Sequence, residues 1–421
     1  MKHNLSRRAF IQGATAFGLA AHSQALCLPL VQDKGSSSAK RSVVVIYLRG
    51  GADFLNMLVP LRSVSYELKR PGIWITPDEV IKLDSHWGLH PALASLLPLY
   101  QAGEFLPIIG AGSPHPTRSH FDAQDFMGYA APGDRTMRDG WLNRYLTATH
   151  TTESNQFRAL GMQRLLPTSL RGEYPVLAVP EGFDMAKSAT VLSDFERFYG
   201  KPKKKSEDED GEMDMGGERE GSIDVVQSGQ LTIETLRRFK EIIAKAEGDA
   251  SSYPNSDFGK GMRRIAQVIR SGEGVEVAGI DIGGWDHHAN QGAASGSQAG
   301  KLKDLADTLV AFRKHLGDSF DDTVVMVMTE FGRTVMENGS GGTDHGHGSG
   351  MFLFGGGLKG GTVFGEWNGL KSEDLYQNRD LLVTTDFRDV FNTVLAEHLD
   401  FKAPKGFFPD YKKPKRLKLF A

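Results

Sequence analysis

Residues 42–53 read Ser-Val-Val-Val-Ile-Tyr-Leu-Arg-Gly-Gly-Ala-Asp, an apolar and mostly β-branched run that ends in a turn with two glycines. A run of this kind, without polar alternation, is typical of a parallel strand buried on both faces. The turn would lie at the carboxyl end of that strand, where open α/β sheets bind their ligands. The stretch predicts an α/β fold and makes Asp53 a candidate site residue, although an Asp at this place would serve equally well as the cap of a following helix.

Strand-like and helix-like segments alternate through most of the remaining chain. The strand-like runs cover 105–109, 275–281, 323–328 and 351–354, and the helix-like patterns cover 89–103, 121–129 and 301–316. Alternation of this kind predicts a mostly parallel central sheet with helices on both faces. We therefore expect a three-layer α/β sandwich over residues 41–421.

The segment 149–274 breaks this alternation. It holds helix-like patterns at 231–247 and 258–271, and a low-complexity stretch at 201–221 that is rich in Lys, Glu, Asp and Gly. A stretch of that composition buries too little apolar surface to order itself, so we expect 201–221 to be disordered. We interpret 149–274 as a mainly helical cap inserted in the domain.

Residues 1–25 have the features of a twin-arginine export signal in the right order. Ser6-Arg7-Arg8 precedes a weakly apolar run at 11–21, and small residues follow it. The apolar run is too short to span a bilayer. We expect the twin-arginine export machinery as a partner, a linker at 26–40, no membrane-spanning segment in the mature chain, and a periplasmic or secreted destination.

Composition narrows the partners and the redox chemistry. The chain of 421 residues has a formal net charge of -3, and 24% of its residues are charged, which gives no overall field suited to nucleic acid. Its single cysteine, Cys27, excludes an internal disulfide. We do not expect a lipid anchor at Cys27, because the bulky Leu26 precedes it.

A glycine-rich stretch at 342–348 reads Gly-Thr-Asp-His-Gly-His-Gly. It has almost nothing to bury, and its glycines allow the backbone to approach an ion closely. Asp344, His345 and His347 supply oxygen and nitrogen ligands. We interpret the stretch as a metal-site loop, and which of the two histidines ligates stays open.

Two further loops follow predicted strands and carry ligand-type side chains. Asp286 and His288 are spaced so that alternate side chains of an extended loop converge on one ion, the alternative being a polar surface loop. Glu330 follows the strand 323–328, where it would ligate a metal or form a structural ion pair with Arg333. Without cysteine ligands the expected cofactor is a divalent metal with N and O ligands, zinc first, then manganese, iron or calcium.

The reacting groups are expected at the start of the helix 121–129. Ser119 lies there beside Arg118, and a hydroxyl at a helix N-terminus is a candidate nucleophile. The alternative is that Ser119 only caps the helix. Arg118 and Arg333 are candidates for binding the oxygens of an anionic substrate.

Six segments together carry a family resemblance. They are Ser-Arg-Arg at 6–8, Leu-Arg-Gly-Gly-Ala-Asp at 48–53, Arg-Ser-His-Phe-Asp-Ala-Gln at 118–124, Gly-Trp-Asp-His-His at 284–288, Thr-Glu-Phe-Gly-Arg-Thr at 329–334 and the glycine-rich stretch at 342–348. The combination resembles the bacterial, twin-arginine-exported family known as domain of unknown function 1501. That family is similar in fold to the alkaline phosphatase and sulfatase superfamily. The resemblance therefore implies an alkaline phosphatase-like sandwich and metal-assisted hydrolysis of phosphate or sulfate esters.

The resemblance also implies roles for single residues. At Glu330-Phe331-Gly332 that superfamily has Asp-His-Gly, so a ligating oxygen is kept and a histidine is replaced. The remaining matches are Asp53 to the first-strand metal ligand, Ser119 or less readily Thr117 to the nucleophile, Asp286 and His288 to ligands of a second metal, and His345 or His347 to the last metal histidine.

Two functions are expected on this basis. The first is an exported metal-dependent hydrolase of phosphate or sulfate esters, acting on a small-molecule or glycan ester through a hydroxyl nucleophile or metal-bound water. The second is a non-catalytic binding or assembly protein that retains a hydrolase-like scaffold.

Overall fold

The computed structural model describes residues 41–151, 156–163, 165–179, 225–246 and 252–421. The predicted leader at 1–25, the linker at 26–40 with Cys27, and the low-complexity stretch at 201–221 lie outside the described residues.

The central element is the strand predicted at 42–48, and it is β1 (Ser42–Leu48), buried along its whole length. It belongs to an eight-stranded sheet with the order β11-β5-β10-β9-β1-β8-β6-β7. The other strands of this sheet are β5 (Phe105–Gly112), β6 (Ala159–Gly161), β7 (Leu177–Ala178), β8 (Val277–Ile282), β9 (Thr323–Met328), β10 (Ser349–Gly355) and β11 (Thr385–Asp386), while β2 (Leu58–Pro60), β3 (Ile81–Lys82) and β4 (Trp87–Leu89) form a small second sheet.

All pairings in the large sheet are parallel except those of β10, which runs antiparallel to both β5 and β9. The prediction of an α/β fold with a mostly parallel central sheet is confirmed. Because β10 is antiparallel, the loop from β9 to β10 starts and ends at the same edge of the sheet, the one at which β1 and β8 also end.

Helices cover both faces of the sheet. They are α1 (Phe54–Met57), α2 (Val64–Lys69), α3 (Leu97–Gln101), α4 (His120–Gly128), α5 (Trp141–Ala148), α6 (Val225–Lys245), α7 (Asp257–Arg270), α8 (Ser297–Leu316) and α9 (Phe387–Thr393), with 3-10 turns at Pro91–Leu96, Gln156–Arg158, Thr168–Leu170, Gly317–Phe320 and Ser372–Asp374 and a π turn at Val394–His398.

Successive residues of β1 belong to different hydrophobic cores. Val44 and Ile46 pack in the core that contains α7 and α8, whereas Val43 and Val45 pack in the core that contains α5 and α9. Each face of the strand is therefore covered by a helical layer, as in a three-layer sandwich.

The described part of the segment 149–274 extends the sheet. Its strands β6 and β7 continue the sheet beyond β8, and α7 packs in the core on one face. The two strands have only three and two residues, too few for the alternation that marks a strand in a sequence. The predicted helices at 231–247 and 258–271 correspond to α6 and α7. Within the described ranges, no helix combines the length and hydropathy that crossing a bilayer requires.

Candidate metal centre

Three loops bring ligand-type side chains together at the carboxyl edge of the sheet. His120 opens α4 after β5, Asp286 follows β8, and His345 lies in the loop between β9 and β10. Each offers one ligand atom, and these three atoms lie within 4.8 Å of one another. A His, Asp, His set at this spacing is one that a divalent metal can bind.

His288 extends this cluster. Its Nε2 lies 2.9 Å from Asp286 Oδ1 and 3.0 Å from His345 Nε2. His345 Nε2 is 3.2 Å from Asp286 Oδ1, and His120 Nε2 is 3.4 Å from Asp286 Oδ2. Ligand atoms about 2.0–2.1 Å from one tetrahedral ion are separated by about 3.3–3.4 Å, so the separations in this cluster are close to those of a metal centre.

Glycines allow the loops to approach so closely. Gly50 has φ +123°, and a Cβ there would lie 2.6 Å from the backbone N of Asp286. A Cβ at Gly346 would lie 2.5 Å from the backbone of Arg333. Both distances are below any normal contact, so the loops after β1, β8 and β9 can meet only with glycine at these two positions.

Each of the three imidazoles has its Nδ1 next to an oxygen that only accepts hydrogen bonds. An Nδ1 in that position carries the hydrogen, which leaves a lone pair on Nε2 of a neutral ring. The Nε2 atoms of His288 and His345 would then repel each other unless a proton or a metal ion lies between them. The Nδ1 partners are Glu330 Oε1 at 2.8 Å for His120, the backbone oxygen of Arg118 at 2.8 Å for His345, and Asp344 Oδ1 at 3.1 Å for His288.

Of these two alternatives, a proton or a metal ion between the rings, the surroundings of His120 favour the metal ion. Its Nε2 is buried and has no hydrogen-bond partner among the described residues, although it faces the Asp286 carboxylate. A buried nitrogen without a partner is costly unless it binds something the protein chain does not supply. The donor set and this unpartnered nitrogen both fit a divalent cation held by His120, Asp286 and His345, with His288 beside them.

Asp286 is oriented by a buried arginine. Arg333 donates from Nη1 to Asp286 Oδ1 at 2.7 Å, and its other donors are taken by Thr343 and the Gly50 carbonyl. Burial disfavours the Asp286 carboxylate, but the hydrogen bond and charge of Arg333 outweigh that effect and lower the pKa of Asp286. With its guanidinium buried and engaged, Arg333 holds the carboxylate ionised and does not face a substrate site.

Glu330 lies behind His120. It is fully buried, and its Oε1 accepts from His120 Nδ1, Gln124 Nε2 at 2.9 Å and the Gly50 amide at 2.8 Å. Burial opposes ionisation, yet the hydrogen bonds from His120 and Gln124 keep the pKa of Glu330 below its usual value. The hydrogen bond to Glu330 in turn raises the pKa of His120. A carboxylate behind a histidine fixes the ring and makes its Nε2 a better ligand.

The side chains around the centre carry a net negative charge that a divalent cation would balance. The pKa of Asp344 is lowered, first by the hydrogen bond that Asn338 donates to it, so Asp286, Glu330 and Asp344 are all ionised at neutral pH. Three carboxylates and the single guanidinium of Arg333 give a net charge of about -2 when the histidines are neutral. An ion of charge +2 would balance it.

Asp53 lies in a different network. Arg70 donates to Asp53 Oδ2 at 2.6 Å and to Oδ1 at 3.0 Å, and Gln291 Nε2 donates to Oδ2 at 2.6 Å. The carboxylate is buried and makes no capping bond to α1. The structure therefore engages both oxygens of Asp53 in a buried ion pair, apart from the histidine cluster.

The other predicted site residues lie around the cluster. Ser119 is exposed and caps α4, its Oγ accepting from the Asp122 amide at 3.5 Å, and no base is within hydrogen-bond distance of that hydroxyl among the described residues. Arg118 pairs through its guanidinium with the buried Asp380 at 2.5 Å. His347 stacks on Tyr376 with ring centroids 4.1 Å apart, so of the two histidines in its loop only His345 reaches the cluster.

Sequence reasoning did not select His120. The available signal was its place in the loop between the predicted strand 105–109 and the predicted helix 121–129, one helical turn before Gln124, so that both side chains point the same way. Phe331, where the resemblance would put a histidine, packs its ring against His120 and His345 at centroid distances of 4.8 and 5.1 Å. Arg70 has no comparable signal in the sequence.

A family model described as "Protein of unknown function (DUF1501)" matches residues 40–404. The chain belongs to this family. The matched range includes every loop of the histidine and aspartate cluster and confirms the family to which the sequence motifs pointed. A search of curated proteins finds no match to this chain.

Proposed function

We propose that this member of the DUF1501 family is a metal-dependent hydrolase of phosphate or sulfate esters, with its centre at His120, Asp286, His288 and His345. The observation that carries the proposal is the orientation of three imidazoles, each held through Nδ1 so that Nε2 faces the cluster. When bound, a divalent cation supplies Lewis acidity, which polarises an ester oxygen and activates water as a nucleophile.

The donor atoms support a choice of metal. Three imidazole nitrogens with one carboxylate suit zinc, manganese or iron better than calcium, which prefers six to eight oxygen ligands. Zinc fits best, because the ligand atoms are already separated by nearly the edge of a tetrahedron.

The start of α4 supports an anionic substrate. This helix of nine residues begins at His120, so the positive end of its dipole lies next to the cluster. Phosphate and sulfate groups bind at such helix ends. Of the two nucleophiles considered, we favour water over Ser119, because the Ser119 hydroxyl accepts from the helix and has no base beside it in the described part of the chain.

The fold and the cellular location are part of the same proposal. An alkaline phosphatase-like fold is supported by the mostly parallel sheet whose carboxyl edge carries the cluster and a hydroxyl residue at a helix start. Export through the twin-arginine route to the periplasm or beyond is supported by the sequence of residues 1–25 alone.

A second candidate, a non-catalytic binding or assembly protein, is supported by Asp53. The resemblance would make Asp53 a metal ligand, but Arg70 engages both of its oxygens. A scaffold that has given up one ligand position could retain the other metal for structure only.

Metal content and turnover separate the two candidates. The protein, purified without added metal, is analysed for bound elements and tested on aryl phosphate and aryl sulfate esters, together with His345→Ala and His347→Ala. We expect about one divalent metal per chain and turnover in the wild type, loss of both in His345→Ala, and near wild-type values in His347→Ala. A metal-free protein without turnover contradicts the hydrolase, and metal without turnover on any ester supports the binding protein.

A further inference from the structure

The end of the chain has a charge opposite to that of the rest. Residues 401–421 contain seven Lys or Arg residues and one acid, Asp410, which gives +6 in a chain whose net charge is -3. The preceding 400 residues therefore carry -9. Such asymmetry between segments is typical of a surface that binds a polyanion.

The basic segment is fixed to the fold by its backbone. Asp389 at α9 accepts from the Lys415 amide at 2.6 Å and from Tyr411 Oη at 2.8 Å, and Thr393 Oγ1 accepts from the Leu417 amide at 2.9 Å. These bonds hold the segment along α9, so its charged side chains project from a fixed surface.

The cations of this surface are exposed and mostly unpaired. Arg416 pairs with Glu397 at 3.2 Å. The exposed lysines have no carboxylate within 4.0 Å of their Nζ among the described residues; they are Lys402, Lys405, Lys412, Lys413, Lys415 and Lys418. We call these six lysines the basic face.

The basic segment runs along α9, from the first turn of that helix, where Tyr411 and Lys415 bond Asp389, to the edge of the sheet opposite the metal cluster. His398 Nε2 bonds the Ser42 carbonyl at the start of β1, and the Lys359 amide, beyond the end of β10, bonds the Leu419 carbonyl. Arg41, where residues 1–40 join the described fold, donates to the His398 carbonyl at 3.1 Å. The end of the basic segment, where Arg416 pairs with Glu397, is therefore next to the point from which the sequence leads back to the apolar run at 11–21.

We propose that the basic face binds the anionic headgroups of a lipid bilayer. Lysines held near an anionic bilayer are each attracted to it, and several together give measurable binding. The approach to residue 41 favours a lipid surface over nucleic acid, because the export signal expected at 1–25, before its removal, would bring this part of the fold to a membrane. The inference does not depend on the metal or on catalysis.

The test is vesicle binding by the full chain. Sedimentation with vesicles of phosphatidylcholine alone, and with phosphatidylglycerol added, is measured at about 0.05 M and about 0.5 M salt, where screening differs strongly. One variant carries Lys412→Glu, Lys413→Glu, Lys415→Glu and Lys418→Glu. A matched control carries the same charge change at exposed cations elsewhere: Arg62→Glu, Lys82→Glu, Lys240→Glu and Lys371→Glu.

We expect binding that requires phosphatidylglycerol, weakens with salt, and falls at least tenfold in the first variant but less than threefold in the control. Thermal unfolding of each variant checks its fold. Equal binding to both vesicle types, or equal loss in both variants, would overturn the proposal. Tighter binding to duplex DNA than to the anionic vesicles at the same salt would overturn the assignment to lipid.

Discussion

Asp53 and Asp286 form a natural pair for comparison, because they follow the neighbouring strands β1 and β8 at the same edge of the sheet and each is held by a buried arginine. Arg70 reaches both oxygens of Asp53, whose side chain is 2% exposed. Arg333 reaches only Oδ1 of Asp286, whose side chain is 40% exposed, and Oδ2 faces His120.

The difference shows what makes a carboxylate available to a metal. In the closed pair at Asp53 the arginine and Gln291 satisfy the carboxylate, and removal of either charge would leave the other buried without a partner. In the open pair at Asp286 the arginine keeps the carboxylate ionised while His288 of the same loop and histidines from two other loops approach it. The same residue type at equivalent places thus lies in a closed structural pair in one case and in the proposed metal site in the other.

The largest effect is expected from breaking the closed pair. Asp53→Asn leaves the Arg70 guanidinium buried without a counter-charge, and we expect the free energy of unfolding to fall by about 3–5 kcal/mol. Urea denaturation measures it. The folded fraction should still bind metal at the wild-type stoichiometry, and loss of metal from folded protein would place Asp53 in the centre after all.

The second-largest effect is expected from a change at Asp286, in the open pair, and it concerns metal affinity. Asp286→Asn removes the one carboxylate among the four proposed ligands, and we expect metal affinity to fall at least about a hundredfold, since the ligand charge is lost. Competition with a chromogenic chelator measures the affinity. Asp286→Asn also leaves a buried arginine, Arg333, without its carboxylate, but water reaches the Asp286 side of this pair and screens the charge. The loss of stability should therefore be smaller than in Asp53→Asn, and the reverse order would contradict the comparison.

A smaller effect on metal affinity is expected from Glu330, which bonds the proposed ligand His120 from behind. Glu330→Gln keeps the shape but weakens the acceptor for His120 Nδ1, and metal affinity should fall about 10- to 100-fold. The chelator assay applies here too, with Gln124→Ala as a milder variant that removes one donor to the same oxygen. Unchanged affinity in Glu330→Gln would show that His120 is not a ligand.

The smallest effect expected is the release of a proton when the metal binds. The hydrogen bond to Glu330 raises the pKa of His120, whereas burial lowers the pKa of His345, so of these two ligands His120 is the one that keeps its proton to the higher pH. Metal binding must displace that proton. Metal affinity should fall as the pH drops through the raised pKa of His120. Calorimetry in buffers of different ionisation enthalpy should detect up to about one released proton, and Asp53→Asn should release the same number. Binding without proton release would contradict this assignment.

The strands and the shared edge of Asp53 and Asp286 can be predicted from the sequence, but the different roles of the two residues cannot. Strands such as β1 and β9 are predicted well, because burial on both faces leaves a continuous apolar run. That Asp53 and Asp286 lie at one edge also follows from the strand order of an α/β fold. Their different roles do not, since Arg70 comes from a helix end whose position depends on tertiary packing.

For the histidines, too, the sequence predicts candidate ligands but not which of them reach the cluster. The Asp-x-His and His-x-His spacings predict that alternate side chains share a direction. Which of His345 and His347 faces the cluster depends on the pairing of His345 with Arg333 across the loop, and on Tyr376 stacking against His347. His120 becomes recognisable as a candidate ligand only when Glu330, from a distant strand end, is seen behind it.

Anomalous diffraction from a crystal of the metal-loaded protein, recorded on both sides of the metal's absorption edge, tests the central claim most directly. We predict one strong peak within about 2.0–2.3 Å of Nε2 of His120 and His345 and of an Asp286 oxygen, with His288 Nε2 as the fourth neighbour. A peak next to Asp53, or none at the cluster in fully loaded protein, would contradict it.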